Sequence, residues 1–264
     1  MSRRTVLITG ASSGIGEAFA EVFAAQGFDL VLVARREDRL RKVADAAATR
    51  YGIAAHVIRA DLASRDAAQR ISDELTTRGL VVDALVNNAG YGVPGTFLVP
   101  AWAQHEAQMQ VMMVALVELT YRLLPAMVAR RYGRIINVAS LAGLVPAPGG
   151  HTLYAATKAF VIRYSESLAH EVRDAGVNVT ALCPGFTFSE FHDRTGTRER
   201  VSKLPSLLWM DAPTVARQGY DAVMAGRSVY VNGLVNRTIA ALAGCLPNAL
   251  VTMVSRRSAK LYRR

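Results

Sequence analysis

Cysteine is almost absent from this chain: Cys183 and Cys245 are the only two in 264 residues. Both lie among apolar neighbours, which excludes a disulfide framework as the basis of the fold. With no secretory signal ahead of the first apolar run, a reducing, cytoplasmic setting is expected. The sequence also lacks a Pro/Ser-rich linker, a low-complexity tract and a fixed-period repeat, so one domain over residues 1–264 is the expected organisation. No metal-ligand spacing is present. The net charge of +10 comes without a zinc pattern, a helix-turn-helix signature or an aromatic RNA-binding strand, and nucleic acid is not an expected partner. Half of that excess sits in the last ten residues, where Arg256, Arg257, Lys260, Arg263 and Arg264 meet no acid.

What the chain has in quantity is apolar residues, at 51%, enough to bury a large core. Short apolar runs alternate with longer helical patterns. The spacing predicts strands at Thr5–Thr9, Asp29–Ala34, Ala55–Arg59, Ala84–Asn87, Arg134–Val138, Asn178–Cys183 and Ser228–Val231. Helices are predicted over Ile15–Gln26, Glu37–Tyr51, Arg65–Arg78, Trp102–Arg131, Tyr154–Ala175 and Ala212–Ala225. Strands that are apolar nearly throughout, separated by helices, imply an α/β fold: a Rossmann-like, doubly wound parallel sheet of about seven strands covered on both faces. Ligands of such a sheet bind beyond the carboxyl ends of its strands.

Four segments fall at that edge. Thr9-Gly10-Ala11-Ser12-Ser13-Gly14-Ile15-Gly16 links the first strand to the first helix, a strand–glycine turn–helix order that lets backbone N–H groups approach a pyrophosphate at the positive end of a helix. Alone, such a turn is equally well read as a tight connection. Asn87-Asn88-Ala89-Gly90 follows the fourth strand, Ser140 follows the fifth, and Tyr154 stands four residues before Lys158 on one helical face. Together these segments resemble the short-chain dehydrogenase/reductase family, over roughly Thr5 to Val231. The resemblance implies an oxidoreductase acting on CH–OH and C=O groups, and it carries over adenine contacts at Asp61 and Leu62. It likewise implies nicotinamide-side contacts at Asn88, Ala89, Gly90, Pro184, Gly185 and Thr187.

The end of the second strand bears on the cofactor. A dinucleotide fold places there either an acid for the ribose 2′-OH or a base for a 2′-phosphate. Here Ala34 runs into Arg35-Arg36 with no acid before Glu37, which favours NADP(H) over NAD(H), Arg35 being the first choice and Arg36 or Arg39 the support. The alternative is a pair of arginines capping a strand in solvent. For the chemistry, an ammonium beside a phenol lowers its pKa from about 10, so that Tyr154, tuned by Lys158, can give a proton to a carbonyl oxygen as hydride arrives at carbon. Ser140 would hold that oxygen. The family assigns these roles, and has Lys158 also bond the nicotinamide ribose. One departure stands out: Met112 occupies the position where the family has an Asn. That Asn is thought to hold a relay water through its backbone carbonyl and to support a helix irregularity through its side chain. Methionine cannot make the side-chain bonds, so hydride transfer is expected to survive with proton relay slowed or rerouted. Met109, Met112, Met113 and Leu116 read equally well as a packing stripe.

Residues 186–213 are expected to form a substrate lid. With Tyr91–Phe97 and Leu141–Thr152 they bring Tyr91, Phe97, Leu144, Val145, Phe186, Phe188, Phe191, Leu204, Leu207, Leu208 and Trp209 to the pocket, which suits a lipophilic ketone or β-ketoacyl chain. Some of these rings are expected to pack within the lid instead. His192 and Asp193 read as a lid salt bridge or cap. Residues 234–264 form an apolar extension divided by Pro247 and ending in basic residues, each half too short to span a bilayer. It is expected either to pack on the lid or another subunit, or to make peripheral contact with an anionic membrane. The family resemblance implies a homodimer or homotetramer formed through Trp102–Arg131 and Tyr154–Ala175. A dinucleotide-binding sensor or scaffold is the alternative to an enzyme.

Overall fold

The computed structural model describes residues 3–147, 152–191, 199, 202 and 204–245. Its strands are β1 (Thr5–Thr9), β2 (Asp29–Ala34), β3 (Ala55–Arg59), β4 (Ala84–Asn87), β5 (Gly133–Val138), β6 (Val177–Cys183), β7 (Phe186–Phe188), β8 (Trp209–Asp211) and β9 (Val229–Val231). Seven of them form a parallel sheet in the order β3-β2-β1-β4-β5-β6-β9. The strand order reverses between β1 and β4, which opens a crevice at their carboxyl ends.

The helices are α1 (Gly14–Ala25), α2 (Glu37–Tyr51), α3 (Ala67–Thr77), α4 (Trp102–Met109), α5 (Ala115–Ala129), α6 (Thr152–Val172), α7 (Ala212–Met224) and α8 (Leu234–Cys245). Alternation along each strand divides the core into two layers. On β1, Val6 and Ile8 face α1, α2 and α7, whereas Leu7 faces the layer of α3, α5 and α6. All three side chains are fully buried, which is why the strands read as continuous apolar runs.

The predicted elements match in order and type, with ends shifted by two residues or fewer apart from the Tyr154–Ala175 helix, whose last turn is 3₁₀ (Arg173–Ala175). Two features differ. The Trp102–Arg131 helix is interrupted by a π-turn at Gln110–Val114, and the lid carries the parallel pair β7–β8. Three-residue strands are too short to display a period, and a π-turn inserts a residue without changing composition. Gly14–Ala25 is held from behind by an aromatic cluster: Phe23, fully buried, meets Phe28 and Tyr220 edge-on, each at 5.1 Å between centroids. Because α1 carries the glycine turn, this cluster fixes the turn against the sheet. Phe23→Ala is expected to cost about 3–5 kcal/mol of unfolding free energy, read by urea denaturation.

Candidate active site

The glycine turn leaves β1 with Gly10 and Gly14 in the left-handed region, at φ of 66° and 62°. A Cβ on Gly10 would stand 2.8 Å from Asn88 Nδ2, and one on Gly16 only 2.5 Å from it. Both glycines are therefore required by close approach to the β4 segment. The contact is a clasp: the Thr9 hydroxyl donates to the Val86 carbonyl at 3.3 Å and accepts from the Asn88 and Ala89 amides at 3.0 and 3.1 Å. Asn88 Nδ2 returns bonds to the Thr9 and Gly10 carbonyls at 3.0 and 3.3 Å. Ser13, the N-cap of α1, makes no side-chain bond to that helix, so its hydroxyl does not occupy the first-turn N–H groups, which a helix leaves without intrahelical partners. This cradle fits a pyrophosphate: narrow, glycine-lined and at the positive end of a helix.

Beside the turn, Arg36 folds over it. Its Nη2 donates to Ser12 Oγ at 3.0 Å and Ser13 Oγ at 2.9 Å, its Nε to Ser12 Oγ at 3.3 Å, and its Nη1 to Glu190 Oε2 at 3.0 Å. Arg39 also pairs with Glu190. Arg35 turns the other way, 3.9 Å from Asp61, beside a cavity of about 400 Å³ that both residues line with Ala60, Arg70 and Ile71. Asp61 is exposed and accepts from the Ala63 amide at 3.0 Å, while Leu62 is buried.

Across the crevice, Ser140 leaves β5 in extended conformation and caps a 3₁₀ turn, Leu141–Gly143, its Oγ accepting from the Ala142 amide at 3.1 Å. That turn lies flat on α6: a Cβ on Gly143 would stand 2.7 Å from the Lys158 carbonyl carbon. Gly143 thus sets the distance between the serine and the helix carrying Tyr154 and Lys158. Sequence reasoning passed over it, although a glycine three residues after the serine was there to be seen. Lys158 Nζ donates to the Val138 carbonyl at 2.7 Å and lies 5.7 Å from the centre of the Tyr154 ring. Burial lowers the Lys158 pKa to about 8 and, with Lys158 pulling the other way, raises that of the neighbouring Cys183 thiol to about 12. Met112, in the π-turn and fully buried, lies with Lys158 Nζ against Gly90; its Cγ and Cε would be 3.6 and 3.7 Å from a Cβ there. The helix irregularity forms without an asparagine side chain.

Below these groups runs a buried polar seam that the sequence reading did not single out. Asn87 Nδ2 donates to Asn137 Oδ1 at 2.9 Å and Thr120 Oγ1 at 3.1 Å, and Asn137 Nδ2 donates to Ser165 Oγ at 2.9 Å. It ties β4, β5, α5 and α6 together under the site. The signal was an asparagine at each of two otherwise apolar strand ends.

After β6, Leu141 N donates to the Pro184 carbonyl at 2.9 Å, and Thr187 Oγ1 to the Gly185 carbonyl at 3.2 Å. Asn236 of α8 covers Gly185, where a Cβ would meet its side chain at 2.6 Å. Among the aromatics expected at the pocket, Phe186 and Phe188 instead pack on Trp209, at 5.4 and 4.6 Å. Phe97 stacks on His105 at 5.1 Å, and Phe191 lies 5.5 Å from Tyr154. His192, Asp193, Pro247 and the basic end of the chain lie outside the described residues. Among the described residues no cluster of His, Cys, Asp and Glu could hold a metal ion.

Comparison with known proteins shows the family. Residues 4–200 match the family model described as short chain dehydrogenase. The chain is 32% identical over 242 residues to nodulation protein G of Rhizobium sp. (strain N33), covering 88% of this chain and 97% of that protein. It is 37% identical over 184 residues to the very-long-chain 3-oxoacyl-CoA reductase-B of Danio rerio, covering 67% of this chain and 58% of that one. Among solved structures it resembles a short-chain dehydrogenase from Sphingobium yanoikuyae in complex with NADPH, with a TM-score of 0.81, 31% identity and coverage of 92% and 96%. The turn, the serine, the Tyr-x-x-x-Lys helix and these matches together make the chain a member of the short-chain dehydrogenase/reductase family, oxidoreductases acting on CH–OH and C=O groups.

Proposed function

We propose that this chain uses NADP(H) to interconvert a lipophilic ketone, or a β-ketoacyl group, and its alcohol, with Tyr154 as proton donor and acceptor. The observation that carries the cofactor choice is Arg36, whose guanidinium is held by the Ser12 and Ser13 hydroxyls at the rim of the glycine turn. There a planar fork can pair with a 2′-phosphate. In this reading Arg36 and Arg39 take the 2′-phosphate ahead of Arg35, the first choice from sequence, and Arg35, 3.9 Å from Asp61, flanks the adenine side. The likeness to an NADPH complex supports the same choice.

When bound, the nicotinamide donates or accepts the hydride. The chain's own groups manage the carbonyl and its proton. Ser140 holds the substrate oxygen, and Tyr154 gives it a proton on reduction or takes one on oxidation. Lys158 stabilises the phenolate with its ammonium and reaches the ribose. Pro184, Gly185 and Thr187 line the nicotinamide end, and residues 186–213 act as the lid within a single domain of residues 1–264. In that lid Phe191 lies against Tyr154, while Phe186 and Phe188 pack on Trp209. That apolar lining, and the likeness to a 3-oxoacyl-CoA reductase, support a lipophilic substrate. Assembly is proposed through α4–α5 and α6, where Val114, Tyr121, Val128 and Phe160 expose apolar surface.

The first test follows NADPH and, separately, NADH absorbance over β-ketoacyl thioesters, steroid ketones and aromatic ketones. Turnover with NADPH is expected, falling by about 10²-fold or more in Tyr154→Phe; turnover that survives that substitution would refute the role. The second concerns pH. Lys158 is protonated below about pH 8 and neutral above it, so the support it gives the phenolate is present at lower pH and lost as pH rises through that value. The kcat/KM for ketone reduction is expected to fall with a midpoint near 8, and the limb to move upward in Lys158→Arg, whose charge persists. A third test addresses Met112. Met112→Asn puts a polar side chain beside Lys158 and is expected to raise turnover and shift the same limb; an unchanged rate and profile would show that the methionine does not hinder proton relay.

A further inference from the structure

Glu190 stands where an anion of the cofactor is expected. Its carboxylate bridges two guanidinium groups, Arg36 Nη1 at 3.0 Å on one oxygen and Arg39 on the other. The remaining bonds of Arg36 go to Ser12 and Ser13. The bridge is anchored on both sides. Ser189 lies against the glycine turn, its Cβ 3.0 Å from where a Cβ of Gly14 would be, and Phe191 lies against Tyr154. The carboxylate is partly open to solvent, at 36% exposure, so an incoming anion can reach the same cations.

From this arrangement we propose that Glu190 is a specificity-determining residue that competes, from within the chain, with the cofactor's 2′-phosphate. The proposal rests on the assignment of that phosphate to Arg36 and Arg39. Two anions cannot share this cation pair without strong repulsion, so a 2′-phosphorylated dinucleotide must first displace the carboxylate. Its apparent affinity is lowered by the fraction of molecules in which Glu190 holds the arginines. A cofactor with a free 2′-hydroxyl meets no such conflict, because a hydroxyl can donate to the carboxylate. Glu190 therefore narrows the preference between NADPH and NADH that the arginines create, and eases release of the phosphorylated cofactor after turnover. Specificity at this site is a difference between an attraction and a built-in repulsion.

The test is equilibrium binding of NADPH, NADH and 2′,5′-ADP to the full chain, comparing the wild type with Glu190→Gln, which keeps length and hydrogen bonding but removes the charge. Glu190→Gln is expected to tighten NADPH and 2′,5′-ADP by about fivefold while leaving NADH within twofold. The gain should disappear when the same change is made in an Arg36→Met/Arg39→Met background. Equal tightening of NADPH and NADH, no change, or weaker NADPH binding would each overturn the role of Glu190. A wild type that binds NADPH and NADH equally and ignores 2′,5′-ADP would overturn the phosphate assignment itself, and this inference with it. Preference for NADPH that Glu190→Gln leaves untouched would remove Glu190 alone.

Discussion

The Thr9 hydroxyl serves three partners at once, one carbonyl and two amides, and the Asn88 amide answers with two bonds of its own. Through these five contacts the ends of β1 and β4 are locked where the strand order reverses. Each such bond contributes about 1 kcal/mol net, but a buried polar group left without its partner costs more, so the clasp is hard to open partway. The glycines follow from it: Gly10 and Gly16 are crowded by Asn88, and their lack of a side chain keeps the turn close to the sheet. The glycine turn and the Asn-Asn-Ala-Gly segment are thus one rigid object, and the arginines, the serine and the tyrosine are arranged around it.

A second tension surrounds Lys158. An amine this deep in the structure resists protonation, yet its proposed work needs the charged form. The Val138 carbonyl and the face of the Tyr154 ring offset part of the desolvation. Met112, apolar and fully buried, does not. The methionine that the sequence reading placed at the family's asparagine position thus adds no polar partner beside this amine.

Much of this was legible in the sequence. The strands of the sheet could be read because both faces are buried, leaving apolar runs with glycine or polar breaks on either side. The four motif segments could be read because each combines residue types that packing alone does not demand. The direction of a side chain could not: nothing in Ala-Arg-Arg-Glu says that Arg36 turns toward Ser12 while Arg35 turns toward Asp61. Glu190 was invisible for the same reason, since its partners are 154 and 151 residues away in the chain. The aromatic lid was half legible. Composition showed the rings, but only three-dimensional packing shows that Phe186 and Phe188 lie against Trp209.

Asn236 gives the chain beyond the last strand a mechanical bearing on the site. It is buried, bonded to the Asn232 carbonyl at 2.8 Å, and seated directly on Gly185. Gly185 follows Pro184, whose carbonyl holds the turn that begins at Ser140. Helix α8 is therefore packed directly on the Pro-Gly corner, one residue from the carbonyl that holds the serine's turn. The opposite side of the same helix, where Leu234 and Leu242 face outward, is thus separated from the serine's turn by little more than one buried asparagine and one glycine.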